Sequence, residues 1–199
     1  MHNHYIQTLI KKANQGDPEA QNSLGIMYEQ GEGVAQDYAE ALRWYRAAAE
    51  RGNAAAQFNL GCMYDNGLGA DQDHAEAARW FRAAAEQGNA EGQFYLGLMY
   101  EGGYGIDQDD AEAVRWFRAA AEQGNAEGQF YLGLMYANGQ GVAQDYVTAH
   151  MWLNIAASSG HHPSQEMRDR VSANMTPEAI GEAHRRSQVC IESGYQDCD

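Results

Sequence analysis

Three kinds of residue in this chain could do chemistry: a serine with a lysine as base, histidines and cysteines as metal ligands, and paired carboxylates as acid and base. None stands at a catalytic spacing. A Ser-x-x-Lys acyl-transfer pair needs its lysine three residues after the nucleophile. The only lysines are Lys11 and Lys12, and no serine precedes either by three. No His-Glu-x-x-His, Cys-x-x-Cys or Cys–His set occurs. His161 and His162 are adjacent, which suits joint ligation poorly, and His2 with His4 could hold an adventitious ion only. No structural metal and no cofactor is expected. Asp107, Asp109 and Asp110 crowd together, but acidic residues are abundant here and are favourable where a helix begins. No catalytic residue is assigned, and the chain is not read as an enzyme.

The cysteines, Cys62, Cys190 and Cys198, are too few for a disulfide scaffold. Cys190 and Cys198 stand eight apart with Gly194 between them. A turn there could bring them within disulfide reach and staple the end of the chain by roughly 2–3 kcal/mol in an oxidising compartment. Two free thiols are the alternative, and the spacing leaves both open. Cys62 aligns with Ile26 and Leu98 and reads as a small apolar residue.

Charge narrows the partners. Thirteen Lys+Arg against 28 Asp+Glu give a formal net charge of -15. Such a field repels a phosphate backbone, so no nucleic acid is expected. It attracts a basic peptide or protein, although acidity that only keeps the chain soluble is an equal alternative. No apolar run of about 18 residues exists to cross a membrane, so no membrane insertion is expected. Met1 to Tyr5 are polar with no apolar signal core behind them. The expectation is a cytoplasmic protein unless an export signal has been removed, and a periplasmic or secreted one if Cys190 and Cys198 are bonded.

The elements that must position these residues are repeats. Arg79–Tyr100 recurs letter for letter as Arg115–Tyr136, a shift of 36 residues. Gly25, Gly61, Gly97 and Gly133 keep the same period. Four units follow, 17–52, 53–88, 89–124 and 125–160, each opening on a helix-capping side chain: Asp17, Asn53, Asn89 and Asn125. Leu, Met and Tyr then recur at helical spacing, as in Leu96, Met99 and Tyr100. A glycine directly after the leucine costs about 1 kcal/mol in a helix interior, so its fourfold recurrence predicts close approach of a second helix. A Gly-x-Gly ends each first helix, for example Gly67 and Gly69. Without a preceding strand or a following Gly-Lys-Ser/Thr, it is a turn and not a phosphate loop.

The second helix opens on Asp37, Asp73 or Asp109, with Glu40, Glu76 or Glu112 three residues on. That is capping-box spacing, and the same glutamates can pair with Arg43, Arg79 and Arg115. Trp44, Trp80, Trp116 and Trp152 form one column, read as core seam in preference to a binding platform. Residues 1–16 correspond to the second half of a unit and read as an N-terminal cap, while 161–199 read as a C-terminal cap of two helices, 164–173 and 177 to about 193. The fold expected is all-α: a single solenoid domain of four 36-residue helix-turn-helix repeats, sealed at both ends. Polar caps argue against end-to-end stacking, so a monomer is expected.

Ala20, Leu24, Gly25, Tyr28, Gly31, Gly33, Val34, Asp37, Ala41, Trp44, Ala47, Ala48 and Gly52 carry a pattern that resembles the SEL-one-like repeat (SLR), a relative of the tetratricopeptide repeat. The resemblance covers 17–160, and the tail from Met175 to Ala183 is similar to the closing helix of bacterial members. It implies a right-handed superhelix of paired antiparallel helices acting as an adaptor in protein complexes and signalling. It also implies peptide binding on the concave face lined by first helices. Carried over by column, that face would include Asn22, Ser23, Glu29, Phe58, Asn59, Asp65, Phe94, Tyr95, Glu101, Phe130 and Tyr131. The expectation is a groove with apolar and tyrosine anchors, rimmed by acids and suited to a protein or peptide partner with a basic segment. Some cysteine-rich members are linked to β-lactam binding and hydrolysis and pair cysteines at Cys-x7-Cys, across repeats rather than at a tail. A β-lactam- or peptidoglycan-directed hydrolase is therefore the alternative function.

Overall fold

The computed structural model describes residues 2–198, without the side chains of His2, Asn3 and Tyr5. The side chain of His2, half of the His2–His4 pair, thus lies outside what is described. Eleven helices and no strand occur among them. The chain divides into two compact units, Met1–Gly92 with Tyr104–Ile106, and Gln93–Gly103 with Asp107–Asp199.

The first unit contains α1 (His2–Asn14), α2 (Pro18–Gln30), α3 (Tyr38–Ala49), α4 (Ala54–Asn66) and α5 (His74–Glu86), each packed on the next. The second contains most of α6 (Ala90–Gly102), then α7 (Asp110–Ala121), α8 (Ala126–Asn138), α9 (Tyr146–Ser158), α10 (His162–Ser172) and α11 (Pro177–Glu192). At the tail α11 begins after the Thr176 cap, and α10 starts at His162, two residues earlier than expected.

The caps are where the residue types put them. Asp17, Asn53, Asn89 and Asn125 accept backbone N–H bonds at the starts of α2, α4, α6 and α8. Asp37, Asp73, Asp109 and Asp145 do the same for α3, α5, α7 and α9. Only the aspartate half of each capping box is used. The carboxylates of Glu40, Glu76 and Glu112 reach forward to Arg43, Arg79 and Arg115 at 2.7, 2.5 and 2.8 Å instead. A charged, bidentate partner one turn away outcompetes a neutral N–H.

The glycine column is a notch for a ring. A Cβ on Gly25 or Gly61 would lie 2.4 Å from Tyr45 or 2.6 Å from Phe81 in the first unit; one on Gly97 or Gly133 would lie 2.6 Å from Phe117 or 2.8 Å from Leu153 in the second. Tyr45, Phe81 and Phe117 are fully buried there. Burying each large ring contributes roughly 1.5–3 kcal/mol, more than the glycine costs. The Gly-x-Gly pairs are turns: Gly69, at φ 74°, stands where a Cβ would meet the Tyr38 carbonyl oxygen at 2.3 Å.

Each unit has its own core, and the second holds a further cluster of Ala137, Ala149, Leu153 and Val171. Leu9 and Ala13 of α1 are buried with Ala20, Leu24 and Trp44, while Lys11 and Lys12 are exposed. In the second unit Phe117, Leu132, Met135, Trp152 and Ile155 form a core that also takes Cys190 and Cys198. Those cysteines are joined by a disulfide, with Cα atoms 4.5 Å apart.

Candidate functional site

In the first unit the sequence-derived columns lie on α2 and α4. Asn59 donates to the Asn22 side-chain oxygen at 3.1 Å, tying the two helices side by side. Ser23 turns back on its own helix and donates to the Glu19 carbonyl. Phe58 is half-buried against Phe81, ring centroids 5.8 Å apart.

The acids of that unit are already occupied. Glu29 accepts the Tyr45 hydroxyl at 2.5 Å, and burial together with that carboxylate holds the Tyr45 phenol far above its ordinary range. Asp65 meets His74 Nδ1 at 2.8 Å, with the Tyr104 ring 5.9 Å from the imidazole. Between them Cys62 is pushed up to about 12 by burial and by Asp65 and Glu29. It is therefore no thiolate nucleophile at neutral pH.

The second unit brings its aromatic members together. Phe94 packs on Tyr95 at 5.4 Å and on Tyr131 at 5.5 Å, and Tyr131 meets Phe130 at 5.6 Å. His161 extends the row at 5.1 Å from Phe130 and faces Glu127 at 3.3 Å. Tyr95, Phe130 and Tyr131 keep exposed edges; Phe94 is 8% exposed and acts as the floor beneath them. Asn22 is buried to the same degree in the first unit. Both support neighbouring side chains and offer little surface of their own.

Beside this row the Glu101 carboxyl is held above its ordinary value by burial and then by the Asp110 charge. Burial and the Glu101 and Glu127 charges likewise raise the Tyr131 phenol. A face of ring surfaces rimmed by carboxylates attracts cationic side chains through both ring quadrupole and charge. Among the described residues no group of three or more His, Cys, Asp or Glu side chains could hold a metal ion. No helix among them is long and apolar enough to cross a membrane.

The Sel1 repeat pattern matches residues 18–53, 54–89, 90–125 and 126–161, one residue later in phase than the units read from the caps. The chain belongs to the Sel1 repeat family. It is similar to the crystal structure of a protective antigen of uropathogenic Escherichia coli strains displaying an SLR fold, at 36% identity and a TM-score of 0.82 over 94% of this chain and 44% of that one. It is also similar to a Sel1 repeat protein from Oxalobacter formigenes, at 38% identity and a TM-score of 0.76 over 83% of this chain and 48% of that one. The chain thus spans less than half the length of either. No curated protein matches it. Sel1 repeat proteins generally act as scaffolds for protein–protein interaction and are typically not enzymes.

Sequence reasoning missed a second set of Sel1 repeat residues. Gln21, Gln57 and Gln129 are buried and donate to the Ala13, Ala49 and Ala121 carbonyls at the end of the preceding helix. The signal is a polar residue at one fixed column of the first helices. It satisfies carbonyls that a helix end leaves without partners.

Proposed function

We propose that this chain is a protein-binding scaffold whose second unit takes a basic, extended segment of a partner across Tyr95, Phe130 and Tyr131. The observation that carries this reading is the row of half-buried rings beside Glu101, whose half-buried carboxyl feels the Asp110 charge. An arginine or lysine there would stack on a ring and relieve the like-charge pair. The face on α2 and α4, with Phe58, Glu29 and Asp65, is a separate candidate area of the first unit, its acids taken by Tyr45 and His74. The net charge of -15 would steer a basic partner toward either face. The scaffold acts as a monomer and without catalysis. The Cys190–Cys198 disulfide supports residence in an oxidising compartment.

The test is binding of labelled peptides with matched basic, neutral and acidic sequences, measured across salt. The basic set should bind most tightly and lose affinity as salt rises. Reversing Glu101 and Asp65 together, Glu101→Lys with Asp65→Lys, should weaken binding and flatten that salt dependence. Unchanged affinity and slope would remove these residues from the site. Specific turnover of a chromogenic cephalosporin would replace the scaffold reading with a hydrolase.

A further inference from the structure

We propose that the C-terminal cap of the second unit is a proton-sensitive latch: acid charges His150 beneath α11 and drives α10 and α11 off the outer face of α9. The column that holds Leu42, Ala78 and Val114 in the first three repeats holds His150 in the fourth. That side chain is 1% exposed, and its Nδ1 is buried with no hydrogen-bond partner among the described residues. The ring faces His184 of α11, centroids 5.1 Å apart.

The surroundings are poised against a second positive charge. From α11, His184 acts on His150; from α10, Arg168 acts on it with the same sign and Asp169 with the opposite one. Asp169 is already engaged by Arg168 at 3.0 Å. α9 itself carries no Asp, Glu, Lys or Arg. The one charged side chain of α8, Glu127, is taken by His161, and its tyrosines are directed elsewhere, Tyr136 to Arg118 and Tyr131 toward Glu101 and Glu127. Arg186 of α11 donates to Thr148 at 3.3 Å.

The cap is held by apolar packing, Val171 with Ala149 and Leu153 and Cys190 within the core around Trp152 and Ile155, and by polar bonds to α9. Arg168 donates to Asn154 at 3.1 Å, and Asn154 donates to Ser187 at 2.9 Å, which links α10, α9 and α11 in one chain of bonds. Burial first, then His184 and Arg168, lower the His150 pKa from 6.5 to about 4. The closed cap therefore favours neutral His150, and an opened cap restores an ordinary imidazole. Stability from this group is complete above pH 6.5 and is lost as pH falls from 6.5 to about 4. Each pH unit in that window favours the open form about tenfold, roughly 300-fold across it.

Hydrogen exchange on the full chain, with the disulfide intact, reads the latch directly. After correction for intrinsic rates, amides of α10 and α11 should open about 100-fold more between pH 6.5 and 4.5, following the tenfold-per-unit rule. Amides of α7 should not follow. His150→Val, which copies Val114, should abolish the rise in α10 and α11. An NMR titration of the His150 ring in the unaltered chain needs no variant. A midpoint near 6.5 would overturn the proposal, as would an acid-driven opening that persists in His150→Val or a cap that stays closed in the unaltered chain.

Discussion

The second helices of the third and fourth repeats, α7 and α9, share one set of columns and meet different surroundings. On α7, Arg115 lies over the Trp116 ring at 4.5 Å and pairs with Glu112, and the tryptophan is half-buried. On α9 the same columns hold Met151, Trp152 and Thr148, and Met151 and Trp152 are fully buried where α10 and α11 pack. The difference shows that the packing of α10 and α11 is anticipated on the face of α9 that they cover. Arg and Glu make that face soluble where nothing covers it; Met and Thr make it coverable.

Exchanging residues between the two faces breaks or sharpens that reading. Met151→Arg restores the repeat's arginine, but Thr148 stands where its glutamate would be and the face is closed. A buried charge without its partner costs roughly 3–5 kcal/mol, so thermal unfolding should shift down strongly or the cap should detach. Arg115→Met removes an exposed ion pair and a ring contact, each worth at most about 1 kcal/mol. Equal losses from the two substitutions, measured by denaturant titration, would mean that the cap does not decide which residues these columns tolerate.

A smaller effect separates glycines in notches from glycines on open helix. Gly97 in α6 holds Phe117 so closely that an added Cβ would lie 2.6 Å from the ring. Gly97→Ala should therefore destabilise by roughly 1–3 kcal/mol, despite alanine's better helix propensity. Gly181 in α11 is exposed, with nothing within 4 Å of an added Cβ. There the same substitution should stabilise by up to about 1 kcal/mol. Opposite signs in one calorimetric comparison would confirm that the notch, and not backbone freedom, keeps glycine in the column.

What was legible in the sequence was whatever recurs every 36 residues with an unambiguous physical preference. Capping side chains, the glycine–ring notch and the turn glycines belong to that class. The site was less legible, because neighbouring residues on a helix differ in direction by about 100°. Phe94 and Tyr95 are adjacent, yet one is floor and the other keeps an exposed edge. The glutamates at Glu40, Glu76 and Glu112 had two plausible partners, and only geometry chose arginine. Features that occur once left no periodic trace, which is why His150 against His184 and Asp65 against His74 went unread.

The smallest effect concerns the buried glutamines, where again an interior position and an end position differ. Gln87 donates to the Gln57 side-chain oxygen in the first unit and Gln123 to that of Gln93 in the second, each at 2.6 Å. The donor's column holds Arg51 before these and Ser159 after them. The matching oxygens, on Gln21 and Gln129, are buried without a partner among the described residues. Ser159→Gln places a donor at the same offset from Gln129 that Gln123 has from Gln93, on an exposed position that can accept the longer side chain. One added hydrogen bond to a buried, unsatisfied acceptor contributes about 1 kcal/mol, so unfolding should move upward modestly. The substitution leaves the Gln129 donor on the Ala121 carbonyl in place. A neutral or negative change would mean that the helix end at Ser159 does not share the backbone geometry of Gln123, and the end of the array would then differ in more than its side chains.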